Sequence, residues 1–305
     1  MKENNTNERK LNIQWFPGHM TKALRMMEEN VKIVDAIGYV LDARSPLACF
    51  NPSFEKIVGN KPCVFVLNKC DLADAKKVDA WINYFKSRNQ KCIKLTATAS
   101  AEASKITSAL WEITTPIREK FKAKGIFKPV RCLIIGVPNC GKSTLINCLS
   151  GRKAVITGDK PGVTKGKQWV RLQSGLELLD TPGTLWPKFE NDKIASRLCF
   201  IGSIKDDVVD LYEVSNWLIA ELSKQYPALL CERFKIEIEG KSTNEIFDEI
   251  AKKRGFLLRG GDIDWERTAK AILDDFRKGK IGKITFDTPE ELWCYNTNII
   301  YNNKV

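Results

Sequence analysis

The sequence predicts an α/β fold, a mostly parallel sheet with helices on both faces, followed by a smaller helical domain. Three observations predict it. Short β-rich apolar runs alternate with amphipathic stretches as far as about residue 150, the pattern a parallel sheet produces because each crossover is a helix. A glycine-rich turn, Gly136-Val137-Pro138-Asn139-Cys140-Gly141-Lys142-Ser143, stands between one such run and one such stretch. From about Phe200 onward the apolar spacing is mainly helical, so the sheet ends there.

In chain order, residues 1–10 are polar and carry Glu3 and Glu8, which predicts disorder and argues against an Arg-rich targeting segment. Leu24, Met27, Val31 and Val34 fall on one face of a helix from Thr21, which leads into the β-rich run Ala36 to Asp42. The alternation continues with a strand over 63–67, a helix over 76–86, a strand over 92–95, a helix over 104–122, a strand over 131–135 and a helix from Lys142. Polar residues with Gly158, Pro161 and Gly162 then precede two short runs, 168–173 and 176–179, spaced as a hairpin. Further on, Asp262 or Asp264 caps a helix with Trp265, Ala269, Ile272 and Phe276 on one face, and Gly279 stops it.

With 305 residues and 43% apolar content the chain is long enough for one nucleotide-binding domain and a smaller companion. The ten cysteines form no Cys-x-x-Cys pair and there is one histidine, so reduced thiols are expected and zinc chemistry is not. Apolar runs such as 63–67 and 132–137 are too short to span a bilayer, which predicts a soluble, cytoplasmic protein with no membrane partner. The net charge of +12 suggests a polyanion. It is unevenly spread: residues 201–305 hold 16 Lys and Arg against 19 Asp and Glu, and the first 200 hold 33 against 18. Within the acidic part, 252–283 carries 10 basic and 5 acidic residues, enough for one basic face.

The turn 136–143 has the Gly-x4-Gly-Lys-Ser spacing in the strand-to-helix setting that makes it a phosphate site. The backbone N–H groups of Asn139, Cys140, Gly141, Lys142, Ser143 and Thr144 would converge on phosphates at a helix N-terminus. Lys142 would reach the β- and γ-phosphates as a catalytic cation, and the Ser143 hydroxyl would bind Mg²⁺. Downstream, Asp180-Thr181-Pro182-Gly183 ends an apolar run; Asp180 would hold Mg²⁺ through water and the Gly183 N–H would sense the γ-phosphate. Between them, Thr164 stands where a switch threonine would complete the Mg²⁺ shell, the alternative being a plain turn residue.

Asn68-Lys69-Cys70-Asp71 ends the strand that begins at Cys63. A carboxylate at Asp71 accepts from guanine N1–H and its amine, whereas adenine offers neither donor, so it selects guanine. Asn68 would contact the base edge or tie loops together, and the Lys69 stem would cover the ring. Near Thr96-Ala97 a backbone N–H would meet guanine O6. The base motif precedes the phosphate loop, the reverse of the ordinary order, which predicts a circularly permuted P-loop GTPase domain.

Ile13-Gln14-Trp15-Phe16-Pro17-Gly18-His19-Met20, the stretch Asp35 to Pro46 with its Asp42-Ala43-Arg44-Ser45-Pro46 end, and Asp180 to Pro187 together resemble the YlqF/RbgA family of ribosome biogenesis GTPases. The resemblance runs from about Leu11 to Pro289. It implies GTP hydrolysis, slow alone and stimulated by the ribosomal particle, coupled to binding an immature 50S subunit and its 23S rRNA, with RNA and not DNA as the polyanion. It implies a water-positioning, catalytic role for His19, against the alternative of a histidine that caps the following helix. Thr184 occupies the place where many signalling GTPases carry a water-positioning glutamine. Asn139 matches a feature of potassium-activated GTPases, in which its oxygen holds K⁺ beside the phosphates; the alternative is an asparagine that tightens the loop. The expected division is an extension over 1–23, the permuted domain over 24–187, a helical RNA-binding domain over 188–290 and a tail over 291–305. The competing reading is a GTP-switched RNA-modification or other regulatory GTPase that does not act on ribosomes.

Overall fold

A computed structural model of the protein describes residues 18–96, 100–126, 128–151, 153–155, 168–186, 189 and 191–295. Six strands, β1 (Ala36–Asp42), β2 (Cys63–Asn68), β3 (Lys91–Lys94), β4 (Val130–Ile135), β5 (Gln168–Arg171) and β6 (Leu176–Asp180), form one sheet in the order β3-β2-β1-β4-β6-β5. All neighbours are parallel except the β5–β6 hairpin. The N-terminal strands thus lie on one side of β4 and the hairpin on the other. β1 is buried along its whole length and β4 nearly so, as their unbroken apolar runs require of strands covered on both faces.

Helices α1 (Gly18–Val31), α2 (Pro52–Val58), α3 (Ala75–Ser87), α4 (Ser100–Ile113), α5 (Thr115–Lys122) and α6 (Lys142–Ser150) accompany the sheet. α1 crosses residue 23 without a break. Asp74 caps α3, its carboxylate accepting from the Lys76 and Lys77 N–H groups at 2.9 and 3.4 Å. The single helix expected over 104–122 is two helices. Thr114 sits at φ −95°, ψ 1° between them, and Pro116 has no N–H to continue the ladder of α4. The short α2 was not anticipated.

The helical region begins at α7 (Asp192–Phe200), before the expected Phe200, and continues with α8 (Leu211–Gln225), α9 (Pro227–Phe234), α10 (Thr243–Arg254) and α11 (Trp265–Arg277). Asn191 caps α7, a Ser242–Glu245 capping box opens α10, and Asp264 caps α11. Ala269, Ile272 and Phe276 of α11 are buried, whereas Trp265 is 44% exposed. Among the described residues one continuous apolar core runs from Met20 to Leu292 and joins the sheet to the helical unit.

After α11 the chain turns back to the sheet. The Phe286 N–H donates to the Arg44 carbonyl at 2.8 Å and the Thr285 hydroxyl to the Ala43 carbonyl at 2.9 Å. This return lays the C-terminal segment along the loop that follows β1. Asp42 pairs in register with Asn68, and Ile134 with Asp180, so the carboxyl ends of β1, β2, β4 and β6 share one edge, where open parallel sheets bind ligands. No described helix is long and apolar enough to cross a membrane.

Candidate functional site

The glycine-rich turn leaves β4 and enters α6 through three positive-φ residues, Gly136 (152°), Asn139 (57°) and Gly141 (100°). A Cβ at Gly136 would lie 2.4 Å from the Val40 carbonyl oxygen, and one at Gly141 2.1 Å from Asn68 Nδ2, so both positions need glycine for space as well as for backbone freedom. The Lys142 ammonium folds back on the turn, donating to the Gly136 and Val137 carbonyls at 3.0 and 2.8 Å. Burial pushes the Cys140 thiol up in pKa, against the pull of Lys142 and Lys69, which keeps it an inert filler of the loop.

The β2 motif is bonded to this turn. Asn68 Nδ2 donates to the Cys140 carbonyl at 2.8 Å and Lys69 Nζ to the Asn139 carbonyl at 2.6 Å. Of the two roles open to Asn68, it performs the tying of loops here. Asp71 lines an open cleft of about 270 Å³ with Cys70, Lys94, Thr96, Glu102 and Lys105. The Thr96 hydroxyl donates to Asp71 Oδ1 at 3.1 Å, and the Thr96 N–H is committed to Glu102 Oε2 at 2.9 Å. Glu102 was missed by sequence reasoning. Ala97 lies outside the described residues.

Asp180, at the end of β6, accepts from the Ser143 hydroxyl on Oδ2 at 2.9 Å, while Oδ1 is buried with no protein partner. Burial raises its pKa, opposed by Lys142 and by the Ser143 hydrogen bond. A hydroxyl and a carboxylate meeting beside a lysine, with one buried carboxylate oxygen unsatisfied, is a donor set that fits a hard divalent cation and its waters. A Cβ on Gly183 would lie 2.6 Å from the Pro138 backbone and 2.8 Å from Lys142 Nζ, so this turn rests directly on the phosphate loop. Thr184 is fully buried, its hydroxyl unpartnered and its carbonyl accepting from Asn51 Nδ2 at 3.2 Å. It stays inside the fold. Thr164 lies outside the described residues, and His19 falls in the first turn of α1 with its side chain likewise outside them.

Two further groups reach the site from beyond the motifs. Asp42, at the end of β1, is fully buried and pairs with Arg44 at 2.7 Å and Lys69 at 2.9 Å. Burial alone would raise its pKa, but Arg44 and Lys69 hold it well below the usual carboxylate range. From the helical unit, the Gly202 carbonyl accepts from Asn139 Nδ2 at 2.7 Å, and the Ser203 hydroxyl donates to the Pro138 carbonyl at 2.7 Å. The signal for Asp42 and Arg44 was present in the sequence: opposite charges two residues apart at the end of an all-apolar strand must pair to be buried. Gly202 and Ser203 carried no such signal.

Comparison with known proteins places this geometry among relatives. The family described as 50S ribosome-binding GTPase matches residues 131–226. Ribosome biogenesis GTPase A of Bacillus cereus is 43% identical over 280 residues, covering 92% of this chain and 95% of that protein. The protein of the same name from Thermotoga maritima is 31% identical over 280 residues, covering 92% and 96%. Mitochondrial ribosome-associated GTPase 1 of Ictalurus punctatus is 31% identical over 293 residues, covering 90% and 92%. Among solved structures, GNP-bound YlqF from T. maritima superposes with a TM-score of 0.60 at 28% identity, over 88% of this chain and 99% of that one.

Proposed function

The chain belongs to the ribosome biogenesis GTPase A family, and from that premise we propose that it hydrolyses GTP to GDP and phosphate as an assembly factor of the large ribosomal subunit. It binds an immature 50S particle through 23S rRNA in a nucleotide-dependent way, in the cytoplasm. The observation that carries the reading is the meeting of two motifs from distant parts of the chain: Asn68 and Lys69 bond the backbone of the loop that ends in Lys142 and Ser143. A base reader and a phosphate cradle so joined form one nucleotide-sized site.

In this reading Asp71 selects guanine, oriented by the Thr96 hydroxyl, and the Lys69 stem covers the base. The loop N–H groups hold the β-phosphate at the N-terminus of α6. On nucleotide binding Lys142 exchanges its loop carbonyls for the β- and γ-phosphate oxygens. Ser143, Asp180 and Thr164 are the residues that would hold Mg²⁺, which when bound neutralises charge developing on the phosphates. Asn139 is the residue that would hold K⁺ through its amide oxygen, and that ion would supply further positive charge to the phosphates. Thr184 is sealed in the core, and following what the family resemblance implies we assign the positioning of the attacking water to His19, at the start of α1.

The helical unit, 188–290, contacts rRNA phosphates with the basic face of 252–283. The γ-phosphate sensor at 180–183 leads directly into α7, whose far end returns to the phosphate loop at Gly202 and Ser203, so GTP sets how that unit is held. Steady-state GTP hydrolysis with and without purified large-subunit precursor particles tests the reading. A slow basal rate that rises severalfold with particles supports it, and no hydrolysis in either condition overturns it.

A further inference from the structure

A closed circuit of polar contacts passes through Asp42 and Arg44, to which neither the phosphate site nor the base site gives a role. Asn139 Nδ2 donates to the Gly202 carbonyl at 2.7 Å. Gly202 N–H and Arg277 Nη2 both donate to the Cys199 carbonyl, at 3.0 and 2.8 Å. Arg44 Nη1 donates to the Arg277 carbonyl at 3.3 Å. Arg44 forks onto Asp42, Nε to Oδ1 at 2.9 Å and Nη2 to Oδ2 at 2.7 Å. Lys69 Nζ then lies 2.9 Å from Asp42 Oδ2 and donates to the Asn139 carbonyl at 2.6 Å, which closes the ring.

We propose that Arg44 is a positioning residue for nucleotide binding: by clamping the Asp42 carboxylate it fixes the Lys69 ammonium on the phosphate loop. The inference rests on the reading of 68–71 and 136–143 as the nucleotide site. Lys69 needs such an anchor. Its stem is long and flexible and its side chain keeps 26% of its surface exposed, so burial alone does not fix where the ammonium points; the Asp42 carboxylate and the Asn139 carbonyl set its direction. Asp42 in turn does not need Lys69: one buried guanidinium neutralises one buried carboxylate, and Arg44 supplies two of the hydrogen bonds plus its own N–H at 3.1 Å to Oδ1. A second cation on the same oxygen is therefore placed for what Lys69 does, not for burying Asp42. Without the Arg44 side chain the carboxylate loses the fork that fixes both oxygens and keeps only the backbone N–H of residue 44 on Oδ1, so the Lys69 anchor on Oδ2 loses its direction. Arg44 is itself held by the helical unit, its guanidinium lying 5.2 Å from the centre of the Phe276 ring.

The test is a double-mutant cycle on the full chain, reading the dissociation constant of a fluorescent GDP analogue in Arg44→Gln, Lys69→Met and the double variant. Each single change is expected to weaken binding about tenfold, and Arg44→Gln to have no further effect once Lys69 is gone, because the two act as one unit. Should Arg44→Gln not fold, Arg44→Lys keeps the charge and loses the fork, and is expected to show a smaller loss that again vanishes with Lys69→Met. A general loss of stability does not produce that non-additivity. Equal losses with and without Lys69, or no loss in the native background, overturn the relay while leaving the nucleotide site standing. Unchanged binding in Lys69→Met overturns the base-site reading and the relay together.

Discussion

The side-chain amide of Asn139 donates to the backbone carbonyl of Gly202 at 2.7 Å, so the phosphate loop is bonded to the turn that ends α7. Next to it the buried Ser203 hydroxyl holds the Pro138 carbonyl. Ser203→Ala leaves that carbonyl buried and unsatisfied, at a cost of about 1–3 kcal/mol. The expected outcome is a lower denaturant midpoint at unchanged m-value, together with a severalfold weaker affinity for GDP. Unchanged affinity would show that the α7 turn does not shape the loop.

Gly183 is held by space. Gly183→Ala drives a methyl into the Pro138 backbone and the Lys142 ammonium, at a position that is not buried in the core. Hydrolysis should fall about 100-fold, the scale of a misplacement of about 1 Å at a reacting centre, with the circular dichroism spectrum retained. A turnover within twofold of the native chain contradicts the placing of this turn against the γ-phosphate.

Asp71→Asn keeps the shape of the base cleft and exchanges an acceptor for a donor. GTP affinity is expected to drop by about 100-fold or more, because buried donors on guanine lose their partner. Xanthosine triphosphate, which carries a carbonyl in place of the amine, should become the better substrate. Measuring kcat/KM for both nucleotides decides it, and unchanged GTP use would move the base pocket elsewhere.

How much of this was legible follows from sequence separation. The strands at Ala36, Cys63 and Val130, the phosphate loop and the helix capped by Asp264 are local patterns, and each is seen in the fold. The break at Thr114 was legible too, in Pro116, but the apolar periodicity on both sides outweighed it. What was not legible is the joint between sheet and helical unit. Asn139 and Gly202 are 63 positions apart, Arg44 and Arg277 233, and Ser45 and Asp287 242. No periodicity couples residues at that distance, and only the packing of α7 on the turn after β1, with α8 and α11 packed on α7, brings them together.

That joint has a pH signature. Asp287 is fully buried, accepts from the Ser45 hydroxyl at 2.5 Å and the Leu47 N–H at 3.1 Å, and lies 3.6 Å from Arg197. Burial raises its pKa to about 6, with Arg197 and these hydrogen bonds opposing. A raised acid pKa means that the folded chain holds a proton that the unfolded chain has lost. Its contribution is therefore fully present below the ordinary carboxylate value and is lost as pH rises through about 6. Asp42, with its lowered pKa, runs the opposite way and contributes above the ordinary value. Asp287→Asn should thus gain stability relative to the native chain at pH 7.5 compared with pH 4.5. Melting temperatures of both at the two pH values give the sign, and a reversed difference contradicts it.

Binding to large-subunit precursors, measured by co-sedimentation with a non-hydrolysable GTP analogue, with GDP and without nucleotide, tests the central claim most directly. The account predicts retention on the particle with the GTP analogue and release with GDP. Binding to neither particles nor rRNA in any nucleotide state would contradict it.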